Sequence, residues 1–435
     1  EDLMGGMFRK MTKEQAKLFG VNGAFARMDS KLIGSNICKS SRLQLVIGVL
    51  QKFYKDISKQ EELLTRMEVT DRAMLDELMK KSAGQIIYTL DKELREKKLE
   101  QLGYLLSRLI SKYTEDDCES VRLLLRVLSE QYSMEGETVV LKEVKEIKSD
   151  SLQSPFDEDA AYRDKHGQKI QGYSVNVTET NNEGELKLIT DPIVEKANIA
   201  DNDFFEEAIK RSEDVAGHIG QINTDGAYHS VDNQEFAEKN QTSFILSGLS
   251  GKEGKYEFTK QEDGQLEVIN KITGELHKAE EYKEGKYKIR EEGKLKYFDI
   301  AMIASFFLRQ QVDNTPQAIK NMRNNVESAM FQMSCMLRNG KTRYRGKFKN
   351  QLWAYCRAMW VNARRITIYM GEVCPDGLPG RKIRENLTKK AELLTILTTE
   401  TGKILLTCYL RSLRKFFAYS QLFLLLLLNG NFDFL

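Results

Sequence analysis

Proline is scarce, with 5 in 435 residues where roughly one in twenty is ordinary. Proline-rich linkers are thereby excluded, and long uninterrupted helices are permitted. Histidine occurs 4 times and tryptophan twice. The 6 cysteines, Cys38, Cys118, Cys335, Cys356, Cys374 and Cys408, never form a C-x-x-C pair. That spacing speaks against a thiolate zinc site and a disulfide scaffold, and it fits free thiols in a reducing cytoplasm. No G-x-S-x-G elbow occurs, which disfavours a serine hydrolase of that kind. No apolar run reaches the about 20 residues of a membrane helix. The longest, residues 416–428, is read as a buried C-terminal segment or as out-of-frame read-through, so no membrane association is expected. The chain opens on Glu1 rather than Met, and a missing N-terminal segment is expected.

Charge of either sign is in no excess, with 66 Lys+Arg against 64 Asp+Glu and a net of +2. Near-neutrality argues on its face against a nucleic-acid partner. The sum is a cancellation, however. Residues 338–435 hold 18 basic and 6 acidic residues, a net of +12, and the rest of the chain nets −10. Arg338, Lys341, Arg343, Arg345, Lys347 and Lys349 are densely placed, followed by Trp353, Arg357, Trp360, Arg364 and Arg365. Such a run is suited to neutralising phosphates, which positions DNA without reading its sequence. The two tryptophans, seven apart, are read as core packing.

Hydrophobic periodicity divides the chain. Residues 1–42 are mixed, with one extended candidate at 23–33. From 43 to 134 apolar residues recur at helical spacing, which predicts a bundle. Residues 135–155 are polar and end in Ser154-Pro155, read as a linker. Period-two segments at 172–178 and 186–194 predict a hairpin, with Asp191 as a strand-end turn former. A helix at 201–218, a strand at 221–224, a helix at 231–240 and a strand at 242–247 follow. Residues 248–297 alternate as exposed antiparallel strands. Residues 298–311, 316–337 and 341–370 read as helices, as does 385–419 after a turn at 374–380. The sum is a mixed α/β core with two large insertions.

Three acids stand out by context. Asp29 lies in the extended RMDSKLIGSN, Asp225 ends a strand in INTDGAYHS, and Glu327 lies in the helical MRNNVESAM. Carboxylates at strand ends project into the cleft at a sheet edge. Three of them suit two Mg²⁺ ions, which prefer oxygen ligands and phosphate, and such ion pairs drive in-line displacement at phosphorus. The bland reading is two turn aspartates and a helix-surface glutamate. Asp157 and Asp159 are read as scaffold, Asp201 and Asp203 as helix-start residues, Tyr228 as packing and His229 as a turn residue.

The segments ARMDSKLIGSNICKSSRLQL, SPFDEDAAYRDKHGQKIQGYSVNVTET, TDGAYHS and VESAMFQMSCMLRNGKTRYRGKFKNQLWAYCRAMWVNARRI resemble, in order, those of bacterial insertion-sequence DDE transposases. The nearest subgroup carries a long helical insertion after its first aspartate. The resemblance covers residues 20–366 and implies an α/β fold: an RNase H-like mixed-sheet catalytic core with a helical and an antiparallel β insertion. It implies Asp29, Asp225 and Glu327 as catalytic residues and as ligands of two Mg²⁺ or Mn²⁺. It also implies cleavage of transposon ends followed by 3′-hydroxyl strand transfer.

The family's glutamate motif places Tyr, Arg, Glu and Lys at fixed spacing. Arg323 and Glu327 fit it, while Lys320 and Ser334 stand at the Tyr and Lys positions. Arg323, Arg338, Lys341, Arg343, Arg345, Lys347 and Lys349 are the expected DNA-binding residues. The implied partners are double-stranded DNA, as terminal inverted repeats and target, and a second copy of the chain in a synaptic dimer, located with the bacterial nucleoid in the cytoplasm. The expected organisation is a core start at 1–42, a helical insertion at 43–150, core at 151–247, a β insertion at 248–298, core helices and the basic region at 299–370, and a helical tail at 371–435. A metal-dependent nuclease or resolvase of the same core, and a non-enzymatic helical DNA-binding protein, stand as alternatives.

Overall fold

The computed structural model describes residues 3–373, apart from 117, 137, 166, 183–185, 250, 252, 262–263 and 336. The turn expected at 374–380, the helix expected at 385–419 and the leucine-rich run lie outside the described residues. Glu1–Arg365 form one compact unit. The second unit begins at Ile366, and its described part is the end of one helix.

The chain opens with α1 (Leu3–Phe19), β1 (Ala26–Gly34), α2 (Arg42–Ile57), α3 (Glu61–Thr65), α4 (Val69–Met79), α5 (Ala83–Tyr88), α6 (Lys92–Tyr113) and α7 (Glu119–Gln131). Next come β2 (Tyr132–Glu135), β3 (Thr138–Leu141), β4 (Ala161–Lys165), β5 (Gln168–Asn181), β6 (Lys187–Lys196), α8 (Phe205–Ala216), β7 (Gln221–Thr224), α9 (Val231–Lys239) and β8 (Ser243–Leu246). The last third holds β9 (Tyr256–Lys260), β10 (Leu266–Asn270), β11 (Leu276–Lys278), β12 (Glu280–Lys283), β13 (Lys286–Glu291), β14 (Lys294–Asp299), α10 (Ile300–Asn314), α11 (Gln317–Asn321), α12 (Asn325–Ser334) and α13 (Lys347–Val373).

The fold is α/β around one mixed sheet ordered β4–β5–β1–β7–β8, with β6 also on β5. β5 is long enough to pair antiparallel with β4 along its first part and with β6 along its second. β1 pairs antiparallel with β5 and parallel with β7, and β7 pairs parallel with β8. Residues 172–180 of β5 are buried without interruption, because helices cover both faces of the sheet. On one face Ile33, Tyr173, Val175 and Val177 pack with Phe8 of α1, Val326 and Met330 of α12, and Tyr355 of α13. On the other, Ala26, Met28 and Ile222 pack with Phe205 and Ile209 of α8 and Ala237 of α9.

Between β1 and β4 the helices α2–α7 form a separate apolar core around Val46, Leu50, Leu106 and Leu124. Ser41 starts α2 with a reciprocal capping box to Gln44. Between β8 and α10 two three-stranded antiparallel sheets, β9–β11 and β12–β14, share a small core at Phe258, Val268, Ile289 and Phe298.

Five readings from the sequence are corrected. Residues 3–19 are helical: Phe8, Thr12 and Ala16, four apart, are buried despite the two glycines that weaken the pattern. Residues 135–155 are not a linker. They hold the β2–β3 hairpin and a buried segment at 151–155, which side chains of α7 tie down: Arg126 donates to the carbonyls of Asp150 and Glu158, and Glu130 accepts from the Leu152 amide. Asp191 is no strand-end residue; it is buried mid-β6, paired with Thr178 at a bulge. The helix expected at 316–337 is broken by a 3₁₀ turn at Met322–Asn324. The helix expected from 341 starts at Lys347, because Asn339, Gly340 and Gly346 take positive φ and Lys341 pairs with Gly34.

Candidate active site

Alternation along β1 puts Arg27, Asp29 and Lys31 on one face, opposite the face that buries Ala26 and Met28 against α8 and α9. Arg27 stands opposite Asn223 of the parallel neighbour β7, so two residues further on Asp225 draws level with Asp29. Arg27 donates from Nη1 to the Met322 carbonyl at 2.8 Å, and Asn223 donates from Nδ2 to the Ile319 carbonyl at 2.8 Å. These bonds anchor carbonyls at the end of α11 and in the 3₁₀ turn, and they hold the α11–α12 junction over this end of β1 and β7.

From that junction Arg323 reaches both acids. Its Nη2 lies 3.4 Å from Asp29 Oδ1 and 3.6 Å from Asp225 Oδ2. Asp29 Oδ1 also accepts from the Ser30 amide at 2.9 Å. Asp225 spends Oδ1 on its own turn, accepting from the Ala227 amide at 3.0 Å, which leaves Oδ2 for the guanidinium. Gly226 is required beside it, since a Cβ there would strike the Gly248 carbonyl. Ser30 donates from Oγ to the buried Asp201 at 2.8 Å, so Asp201 braces β1 as well as opening α8's 3₁₀ lead-in. Tyr228 is fully buried and donates to Asn176 Oδ1 at 2.6 Å, which makes it a packing residue. Burial, and then the charges of Asp29, Asp201 and Asp225, push its hydroxyl pKa up. Burial lowers the pKa of His229.

Burial also raises the pKa of Asp29; Asp225 adds to the rise and Arg323 opposes it. A carboxyl whose folded pKa lies above its unfolded one supports folding fully only below the unfolded value, and that support is lost as pH rises through the folded value. Asp29→Asn is therefore expected to raise the urea midpoint at pH 7–8, with the gain shrinking below the ordinary carboxylate range. A lower midpoint for the variant at neutral pH would contradict this.

Glu327 lies in the first turn of α12, one residue past buried Val326, and is exposed. The helix is fastened to the Asp29 face of β1 at both ends. Arg323 precedes it, and Ser334 at its end accepts from Lys31 Nζ at 2.7 Å. Sequence reasoning missed Lys31, Asn223 and Arg27; for Lys31 the signal was there, two residues past Asp29 in an alternating strand. Asp29 and Asp225 are thus brought together by Arg323, with Glu327 one turn beyond it. The three carboxylates do not themselves close into a tight cluster. Among the described residues the one trio of such ligands within 4.8 Å is Glu275, His277 and Glu291.

The other acids are scaffold. Buried Asp157 accepts from Tyr173 at 2.6 Å and from Ser35, and Asp159 accepts from the Lys347 amide at 2.8 Å at the start of α13. The basic run divides in two. Lys341 donates to the Ile37 carbonyl at 2.6 Å, Arg345 to the Asn36 carbonyl at 2.8 Å, and Lys347 to Glu195 at 2.5 Å. Arg338, Arg343 and Lys349 are exposed, and their side chains have no partner among the described residues. The loop that carries Arg338 and Arg343 is anchored on β1 through Gly34–Gly340 and Thr342–Gly34 backbone bonds of 2.8 and 2.9 Å. Trp353 and Trp360 pack against the core, with Arg357 stacked 4.3 Å over the Trp360 ring.

Among the described residues no helix is long and apolar enough to cross a membrane. Comparison of the chain with protein-family models, curated protein sequences and solved structures finds no match in any of the three.

Proposed function

We propose that the chain is a DDE-type DNA transposase with an RNase H-like core, acting on double-stranded DNA with two Mg²⁺ or Mn²⁺ at Asp29, Asp225 and Glu327. The observation that carries this reading is the pairing of Asp29, on β1, and Asp225, just past the end of the parallel neighbour β7, across the single Arg323 guanidinium. The sheet order β6–β5–β1–β7–β8 supports the RNase H-like reading, with α8 and α9 as the crossovers into β7 and β8. It puts the first strand at the centre, where its acid meets that of β7.

The donor set fits a hard cation. It is oxygen only, which favours Mg²⁺ or Mn²⁺ over zinc, and the seated guanidinium occupies the space between two carboxylates that a cation would take. When bound, such ions supply charge neutralisation at phosphorus and activation of water or a 3′-hydroxyl. The chain's own groups do the rest. The Ala227 amide orients Asp225 and the Ser30 amide orients Asp29. Arg323 gives up the two carboxylates and is then free to meet a phosphate. Lys31, on the same face, and the exposed Arg338, Arg343 and Lys349 neutralise the DNA backbone. A synaptic homodimer at the bacterial nucleoid belongs to the same proposal.

The test is incubation of the chain, with Mn²⁺, and duplexes taken from the DNA that flanks its own gene. Metal-dependent nicks followed by joined products are expected. Nicks without joined products would instead indicate a nuclease, and retardation of DNA without cleavage a binding protein. Replacing Arg338, Arg343 and Lys349 together by alanine is expected to weaken DNA binding. The slope of log K against log salt should flatten by about 2 to 3, near 0.9 per lost phosphate contact. An unchanged slope would place the DNA elsewhere.

A further inference from the structure

We propose that Glu275, His277 and Glu291 form a second metal site, for a divalent ion of the zinc class, which clips the two small sheets of the β insertion together. His277 lies on β11 of one sheet, Glu275 immediately precedes that strand, and Glu291 ends β13 of the other sheet. All three ligand atoms lie within 4.8 Å of one another. His277 Nε2 is 3.5 Å from Glu275 Oε2 and 3.9 Å from Glu291 Oε1. Both separations are longer than a hydrogen bond, and Nε2 is buried with no hydrogen-bond partner. They approach the edge of a tetrahedral zinc site, which bonds of about 2.0–2.2 Å set at about 3.3–3.5 Å.

The surroundings are arranged as the outer support of a ligand. Glu291, with a side chain only 8% exposed, accepts from Asn270 Nδ2 at 2.7 Å through Oε1 and from Tyr256 at 2.8 Å through Oε2. Asn270 has no freedom to turn. Its Oδ1 accepts from the Ile272 amide at 2.9 Å, so its Nδ2 must face the carboxylate. Hydrogen bonds of this kind fix ligand orientation at metal centres. Glu275 is exposed and leaves the fourth position open to water. The imidazole sets the site apart from Asp29 and Asp225, whose oxygens favour magnesium or manganese.

The full chain, stripped with a chelator, is titrated with Co²⁺. One equivalent is expected to give the intense visible absorption of four-coordinate cobalt, and Zn²⁺ to abolish it. His277→Gln should remove the signal. Glu275→Gln, a surface change that leaves the fold intact, should weaken Co²⁺ binding by about tenfold or more. The Asp29→Asn, Asp225→Asn double variant should retain the signal, which separates this site from the proposed catalytic one. Absence of four-coordinate absorption in the unaltered chain, or its persistence at full strength in both His277→Gln and Glu275→Gln, would overturn the proposal.

Discussion

On the proposed function, Asp225→Asn is expected to lower metal-dependent DNA cleavage by about 10³-fold or more, equivalent to about 4 kcal/mol of barrier. The side chain keeps its shape, and its Oδ1 can still accept from the Ala227 amide, so the turn and the fold should survive. What is lost is the charge on Oδ2, which faces Arg323 and, in the proposed reading, a metal. Cleavage rates in Mn²⁺, with circular dichroism to confirm folding, check it. Cleavage that survives the substitution would remove Asp225 from the chemistry.

Glu179→Ala is expected to cost about 3–5 kcal/mol of stability, the penalty for breaking a buried ion pair from one side. Glu179 is fully buried in β5. Its Oε1 lies 3.1 Å from Arg27 Nε and its Oε2 accepts from Arg365 Nη1 of α13 at 2.8 Å. Arg27 is itself 3% exposed, and burial lowers its pKa while Glu179 raises it. Removing the anion leaves two guanidiniums near each other in a dry interior. The damage should reach the candidate site, because Arg27 also holds the Met322 carbonyl next to Arg323. Urea denaturation measures the loss, and a change under about 1 kcal/mol would contradict the assignment of Glu179 as a structural anion.

Much of the core sheet was legible from local pattern. The hairpin of β5 and β6, the short strand β7 running into Asp225, α9 and β8 follow from period-two and helical spacing and from turn residues, all of which act over a few positions. What was not legible depends on partners far away in the chain. The placement of the broken α11–α12 junction rests on Arg27 and Asn223, side chains on two strands, which donate to its carbonyls. The segment at 151–155 reads as polar, yet it is buried because α7 supplies its hydrogen bonds.

The candidate site divides in the same way. Asp29 and Asp225 are recognisable from strand context, but their level alignment depends on the β1–β7 register, which no spacing reveals. Arg323 is expected from resemblance as a contact to DNA; the structure turns it inward as the counter-ion of two acids. Half of the expected basic surface is spent on the protein's own carbonyls and on Glu195, a division that a charge count does not register.

Metal binding between Asp29 and Asp225 is read out by an anomalous difference map from crystals of the chain soaked in Mn²⁺. Density is expected about 2.0–2.3 Å from carboxylate oxygens of Asp29 and Asp225, with Glu327 turned toward it and Arg323 withdrawn from both aspartates. A saturated crystal with no peak between those aspartates, and with Arg323 still bridging them, would contradict it.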